Sequence, residues 1–173
     1  MIRIATINDL DAIWNLRLKT TDLLKSRSID QWQYIEPSKK QFMSDIENHT
    51  FFVSEFQNKI IGMMYIMTDI EHTYDVIDGQ WRYNFPYITI HRLAVDQAYL
   101  NQGIAFKMLD FGVQYAIEHH ISVIRIDTHK DNIQAQHLFE KQGFKLCGTI
   151  MLSPSIQGER KRLAYDLRIG ESS

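Results

Sequence analysis

One cysteine, Cys147, stands in a chain of 173 residues. No disulfide can close within such a chain, and a reducing compartment is its natural setting. Proline is scarce, at three residues, and glycine modest, at eight, which excludes collagen-like and Pro-rich low-complexity classes. Neither sign of charge is in excess: 19 Lys and Arg against 21 Asp and Glu leave a formal net charge of −2. That balance offers no basic field for bulk nucleic acid. No apolar run approaches the ~20 residues needed to cross a bilayer. The segment Met1–Trp14 lacks a basic region followed by an apolar stretch and a small-residue cleavage site. These absences predict a cytoplasmic protein that engages neither nucleic acid nor membrane.

Apolar residues make up 45% of the chain and charged residues 23%, an ordinary globular balance. The length suits one domain over residues 1–173, with no repeat and no linker. Short alternating or β-branched runs predict strands at 2–5, 51–56, 60–67, 87–95, 122–129, 144–152 and 162–168. Helical spacing predicts helices after Asn8, as cap, through Leu24, from Pro37–Ser38 through Glu47, over 103–119, and over 132–142 with Gly143 as its stop. Gly62 marks a bulge or a close backbone approach. The least regular stretch, 69–85, carries Tyr74, Trp81, Tyr83 and Phe85. It exceeds the ~12–15 residues usual for a plain connection and so offers surface to a ligand.

The most informative segment is Leu93-Ala94-Val95-Asp96-Gln97-Ala98-Tyr99-Leu100-Asn101-Gln102-Gly103-Ile104-Ala105. A strand ends, a polar loop follows, and a helix begins at glycine. The first turn of a helix has unpaired N–H groups and the positive end of the macrodipole. Gly103 permits close approach or positive φ, so the junction can cradle an anion such as a pyrophosphate. On spacing alone the same junction is equally a plain connection.

This junction resembles the acyl-CoA motif of the GNAT acetyltransferases: Gln or Arg, two residues, Gly, any residue, then Gly or Ala. Gly103 and Ala105 match, and Leu100 departs at the Gln/Arg position. A second block, Asn132-Ile-Gln-Ala135-Gln-His-Leu138-Phe139-Glu140-Lys141-Gln-Gly143-Phe144, resembles that family's Asn-x-x-Ala-x-x-Leu-Tyr-Glu-Lys-x-Gly-Phe. The element order agrees over nearly the whole chain.

The resemblance implies a GNAT-like α/β (α+β) fold. Its mixed, mostly antiparallel seven-stranded sheet is flanked by about four helices and splayed between parallel strands at 87–95 and 122–129. Acetyl-CoA, the co-substrate, then lies in the splay. Its pyrophosphate meets Leu100, Asn101, Gln102, Gly103, Ile104 and Ala105, and its pantetheine arm pairs with the backbone of Leu93 and Val95. Asn132 reaches the arm or caps its own helix, and Phe139 stands beside the sulfur. The implied activity is transfer of an acetyl group directly to a primary amine of a small molecule or peptide, with no metal. A catalytically weak acyl-CoA-binding or interaction protein is the alternative that Leu100 and Phe139 motivate. Transfer to a hydroxyl also stays open, as does a homodimer.

Amine acetylation needs a base, because an alkyl ammonium with a pKa near 10.4 arrives protonated at pH 7. It also needs a donor for the charge that grows on the carbonyl oxygen. His91 is the first candidate base; the arylalkylamine acetyltransferases carry His-x-His before a similar segment, aligning with Thr89 and His91. Strand alternation places His91 and Leu93 on one face unless a bulge intervenes. The oxyanion donor, by resemblance, is the backbone N–H at Leu93. Asp127 and His129 form a second pair, read as a hydrogen-bonded dyad or a loop support; two ligands without a third make no metal site. The family often has tyrosine, a general acid, where Phe139 stands. Cys147 reads as an inert strand residue. Trp32, Tyr34, Glu36, Trp81, Tyr83 and Tyr87 are candidates for the acceptor pocket, and Arg160–Arg162 reads as a solvated charge run.

Overall fold

The computed structural model describes residues 1–34 and 36–170. Short apolar runs, continuous in the central strands, build β1 (Ile2–Ile4), β2 (Phe51–Phe56), β3 (Lys59–Met67) and β5 (Tyr87–Val95). The second half of the sheet comprises β6 (Val123–Thr128), β7 (Lys145–Met151) and β8 (Lys161–Arg168). Four helices flank them: α1 (Leu10–Ser26), α2 (Lys39–Glu47), α3 (Ile104–Glu118) and α4 (Ile133–Gln142). The sheet runs β1-β2-β3-β5-β6-β8-β7-β4, where β4 is the two-residue strand Asp78–Gly79. Every neighbouring pair is antiparallel except β5 and β6. Among the described residues the sheet therefore has eight strands, one more than expected from sequence. The extra one comes from the stretch 69–85, whose Asp78 and Gly79 pair with Thr149 and Gly148.

On one face, Met108 and Leu109 of α3 and Phe139 of α4 pack on Ile88, Ile90, Ile124 and Ile126. On the other, Ile13 and Leu16 of α1 and Phe42 of α2 pack on Phe51, Val53 and Met63. A third cluster gathers Tyr74 and Trp81 against Ile150 and Ala164. Ala164 points away from its neighbours Leu163 and Tyr165, which join the α3–α4 core, so this cluster sits on the face away from α4.

Several local expectations shift. Asn8 lies inside a short 3₁₀ turn, Ile7–Asp9, which Thr6 opens and whose Asp9 Oδ2 accepts the Thr6 N–H at 2.8 Å; Asp9 then precedes α1 without a side-chain cap bond to it. Ser38 caps α2 as expected, accepting from the Gln41 N–H. Leu18, an apolar residue of α1, is 43% exposed. Gly62 is a close approach: a Cβ there would stand 2.8 Å from Met108 Sδ of α3. The strand irregularity lies beside it, between Ser54 and Glu55 of β2.

Candidate active site

The parallel ladder of β5 and β6 pairs Tyr87 with Val123, Ile88 with Ile124 and Thr89 with Arg125, and then stops. Past that point β6 continues along β8 to Thr128, while β5 continues along β3 to Val95. The two strands diverge into a gap. Within it β5 is bulged: Tyr65 faces His91 and Met63 faces Ala94, so three steps on β5 match two on β3. Arg92 takes up the extra residue at φ 60°. Its guanidinium lies over the Phe42 and Tyr65 rings, and Nε donates to Asp45 Oδ2 at 3.0 Å.

The bulge overturns the expectation that His91 and Leu93 share a face. Leu93 packs with the α3–α4 core, whereas His91 faces the Tyr74 ring on the opposite side. Arg92 and Leu93 fall outside the ladders on either side of β5.

The loop after β5 turns through left-handed residues, Asn101 at φ 62° and Gly103 at φ 76°, into α3. The Lys107 N–H is bonded to the Gly103 carbonyl, so Ile104, Ala105 and Phe106 present amides that the helix does not use. A Cβ on Gly103 would meet nothing within 4 Å; the space beyond it is open. This loop edges a cavity of about 1240 Å³. Leu93, Val95, Leu100, Asn101, Gly103, Ile104, Ala105, Asn132 and Phe139 all line it, so the residues singled out for the cofactor lie along one surface. Gln102 does not; it borders a separate hollow of about 360 Å³ beside Lys107. Asn132 caps α4 by accepting the Ala135 N–H at 3.2 Å and donates to Gln31 Oε1 at 3.3 Å. Phe139, 3% exposed, packs on Phe144 and Tyr165.

His91 also lines the cavity. Its Nε2 lies 2.8 Å from Glu71 Oε2. The sequence reading missed Glu71, since a carboxylate in an irregular stretch twenty positions away carries no local signal. Burial pushes the Glu71 carboxyl up. The hydrogen bond and charge of His91, with the hydroxyl and amide of Thr73, outweigh it and hold the pKa near 2. An ionised carboxylate can only accept, so the proton in this contact sits on Nε2 of His91.

Nearby, the Tyr74 hydroxyl donates to Asp127 Oδ2 at 2.5 Å. Burial, with Asp127 close by, pushes the Tyr74 phenol well above its ordinary value, so it stays protonated. The expected Asp127–His129 bond is absent: His129 Nδ1 accepts the Asp131 N–H at 3.0 Å instead. His129 is buried and its Nε2 has no partner; burial and the Arg162 charge lower its pKa. Among the described residues no group of three or more His, Cys, Asp or Glu could hold a metal ion.

The segment between α1 and α2 walls the cavity. Buried Arg17 holds it by donating to the carbonyls of Trp32, Tyr34, Glu36 and Pro37. The Trp32 carbonyl also takes the Thr21 hydroxyl at 2.8 Å, fixing a bulky residue at φ 62°. Of the acceptor-pocket candidates, Trp32, Tyr34 and Glu36 line the cavity, and Trp81, Tyr83 and Tyr87 do not. Trp81 is buried in the third cluster, and the Tyr87 hydroxyl accepts the Glu71 N–H. Arg160–Arg162 is not wholly solvated: Arg162 is 4% exposed and lines the cavity. Cys147 lies outside the cavity, with its thiol pushed up by burial.

Residues 12–144 match the model of the Acetyltransferase (GNAT) family, and the chain belongs to that family. It is 36% identical over 72 residues to GCN5-related N-acetyltransferase 6, chloroplastic, of Arabidopsis thaliana, covering 42% of this chain and 24% of that protein. It is 26% identical over 81 residues to streptothricin acetyltransferase of Escherichia coli, covering 44% of this chain and 47% of that one. The matches thus span about a quarter and about half of these curated relatives. A GNAT-family acetyltransferase from Streptococcus agalactiae superposes with a TM-score of 0.86 at 28% identity, over 99% of this chain and 96% of that one. Among the described residues no helix is long and apolar enough to cross a membrane.

Proposed function

We propose that the chain is a single N-acetyltransferase domain over residues 1–173 that moves an acetyl group from acetyl-CoA directly to a primary amine of a small molecule or peptide. The observation that carries this reading is the β5–β6 splay, with free amides at Gly103 edging one end of the cavity and a carboxylate-held imidazole on its wall. The donor set fits acetyl-CoA. The amides of Gly103, Ile104 and Ala105 suit a pyrophosphate. The unpaired β5 edge at Leu93 and Val95 suits an extended amide-bearing arm. Asn132 and Phe139 lie further along the same surface. No metal enters this scheme.

When bound, acetyl-CoA supplies a thioester carbonyl as acyl donor. His91 Nδ1 takes the proton that the incoming ammonium must lose. Glu71 orients the ring and stabilises the imidazolium that forms. The Leu93 amide, released from both ladders by the bulge, donates to the charge growing on the carbonyl oxygen. Phe139 has no proton to give, so it acts as an apolar wall and the departing thiolate is protonated by another group or by water.

The test is acetyl-CoA offered with amines, amino acids and peptides, read as free thiol release together with product mass. Amine-dependent thiol release is expected, falling roughly 10²–10⁴-fold in His91→Ala. Thiol release that no amine accelerates would contradict the assignment and favour an acyl-CoA-binding role.

A further inference from the structure

Arg162 is a buried, charged, cavity-lining residue that the acetyl-transfer scheme above does not use. It stands at the start of β8, 4% exposed. Its Nη1 donates to the backbone carbonyls of Glu159 and Lys161 at 2.6 and 3.1 Å. Among the described residues it makes no ion pair. A buried cation without an anion is costly, and a fold keeps one only where something offsets it. Asp127, Glu159 and Asp30 all act on it electrostatically, Asp127 the most, yet none reaches ion-pair distance. Asp127 opposes Ala164 in the β6–β8 ladder, so Arg162 and Asp127 emerge on one face, two positions apart in register. Both line the cavity, as does His91. One register step past Thr128 and Leu163, His129 keeps a buried Nε2–H with no acceptor.

The cavity wall therefore carries a guanidinium without an ion-pair partner near a carboxylate that, among the described residues, accepts only the Tyr74 hydroxyl. Fixed charges of opposite sign side by side recognise a zwitterion.

We infer that the acceptor is an amino-carboxylate: a molecule with a primary amine and a carboxylate a short distance apart, its carboxylate held by Arg162 and its ammonium drawn by Asp127 toward His91. A guanidinium takes a carboxylate through two parallel bonds, a geometry that lysine cannot reproduce. The inference rests on the acetyl-transfer reading and narrows it. It excludes simple alkylamines and polyamines as preferred acceptors, because they leave Arg162 unpaired.

The test has two arms. In the first, wild-type protein is given common amino acids and, in parallel, their carboxamides, with acetyl-CoA. At least one free acid is expected to exceed its carboxamide by about tenfold or more in kcat/KM. In the second, the N-acetyl derivatives of the same amino acids and of the same carboxamides are titrated calorimetrically into the protein saturated with coenzyme A. Carboxylate-dependent binding is expected in the wild type. It should be lost in Arg162→Gln and weakened in Arg162→Lys, with coenzyme A affinity unmoved. The wild-type comparisons need no variant to fold, and thermal unfolding checks both variants. Amines acetylated without preference for a carboxylate would overturn the inference and leave the transferase reading standing. Carboxylates that fail to bind in the calorimeter would overturn it even if no amine were acetylated, an outcome that would separately sink the transferase reading. A loss of coenzyme A affinity in Arg162→Gln, with discrimination intact, would assign Arg162 to the cofactor and also overturn it.

Discussion

Glu71 Oε2 lies 2.8 Å from His91 Nε2, and this contact joins the connection before β4 to the middle of the bulged strand. A carboxylate on one ring nitrogen leaves the other as the base and stabilises the imidazolium once the proton arrives. Glu71→Gln can still accept the Nε2 proton, so the ring keeps its place while the charge is lost. The expected result is a roughly 10–100-fold fall in kcat, with acetyl-CoA affinity little changed, as for other carboxylate–histidine supports. Unchanged kcat would make Glu71 a loop anchor only.

The same contact sets a pH dependence of stability. The Glu71 pKa falls from its ordinary 4.5 to about 2. A depressed carboxylate pKa means stability that is present in full above the unfolded value and lost as pH falls through the folded one. Urea midpoints of wild type and Glu71→Gln should therefore differ more at pH 5 than in stronger acid. The difference should shrink between about pH 4.5 and pH 3. A difference that stays level through that window would contradict the ion pair.

Asp45 holds the bulge from below. It is 2% exposed and receives Arg92 Nε at 3.0 Å and Gln41 Nε2 at 2.9 Å. Asp45→Ala leaves the Arg92 guanidinium against Phe42 and Tyr65 without its anion. A loss of about 3 kcal/mol is expected, the low end for breaking a buried pair because Arg92 is partly exposed. Activity should drop in the folded fraction as well, since Arg92 fixes the backbone that frees the Leu93 amide. A variant as stable and active as wild type would remove Asp45 from this role.

Much of this was legible in the chain, for reasons that separate local from distant interactions. Gly103 with Ala105, and Asn132 through Phe144, are short-range patterns: a glycine at a helix start and a cap at fixed spacing act over a few residues. The four helices followed from apolar periodicity and these caps, whereas the parallel pair was implied by the family resemblance that the two patterns carry. The bulge was hidden because no glycine marks it; the left-handed residue is Arg92, held there by Asp45 from another element. Glu71, Tyr74 and Asp127 meet across the sheet, through contacts that local sequence does not encode. Arg162 looked solvated because it sits in a run of three basic residues, Arg160, Lys161 and Arg162, only one of which points into the fold.

Gly103→Val tests the anion cradle. The site is left-handed and its Cβ would project into open space, so the added side chain strains the loop and occupies the volume a pyrophosphate needs. Calorimetry should record at least a tenfold loss of acetyl-CoA affinity, with the fold retained. Affinity equal to wild type would move the pyrophosphate elsewhere.

The account centres on the β5–β6 gap as the place where the acyl group is held, and a crystal structure with coenzyme A bound tests it most directly. The predicted result has pyrophosphate oxygens at hydrogen-bond distance, roughly 2.7–3.2 Å, from the Gly103, Ile104 and Ala105 amides. The pantetheine arm should lie along Leu93 and Val95, with the sulfur beside Phe139 and His91 facing it across the strand. Coenzyme A seated outside this cavity, or with its sulfur remote from Leu93, would contradict the assignment.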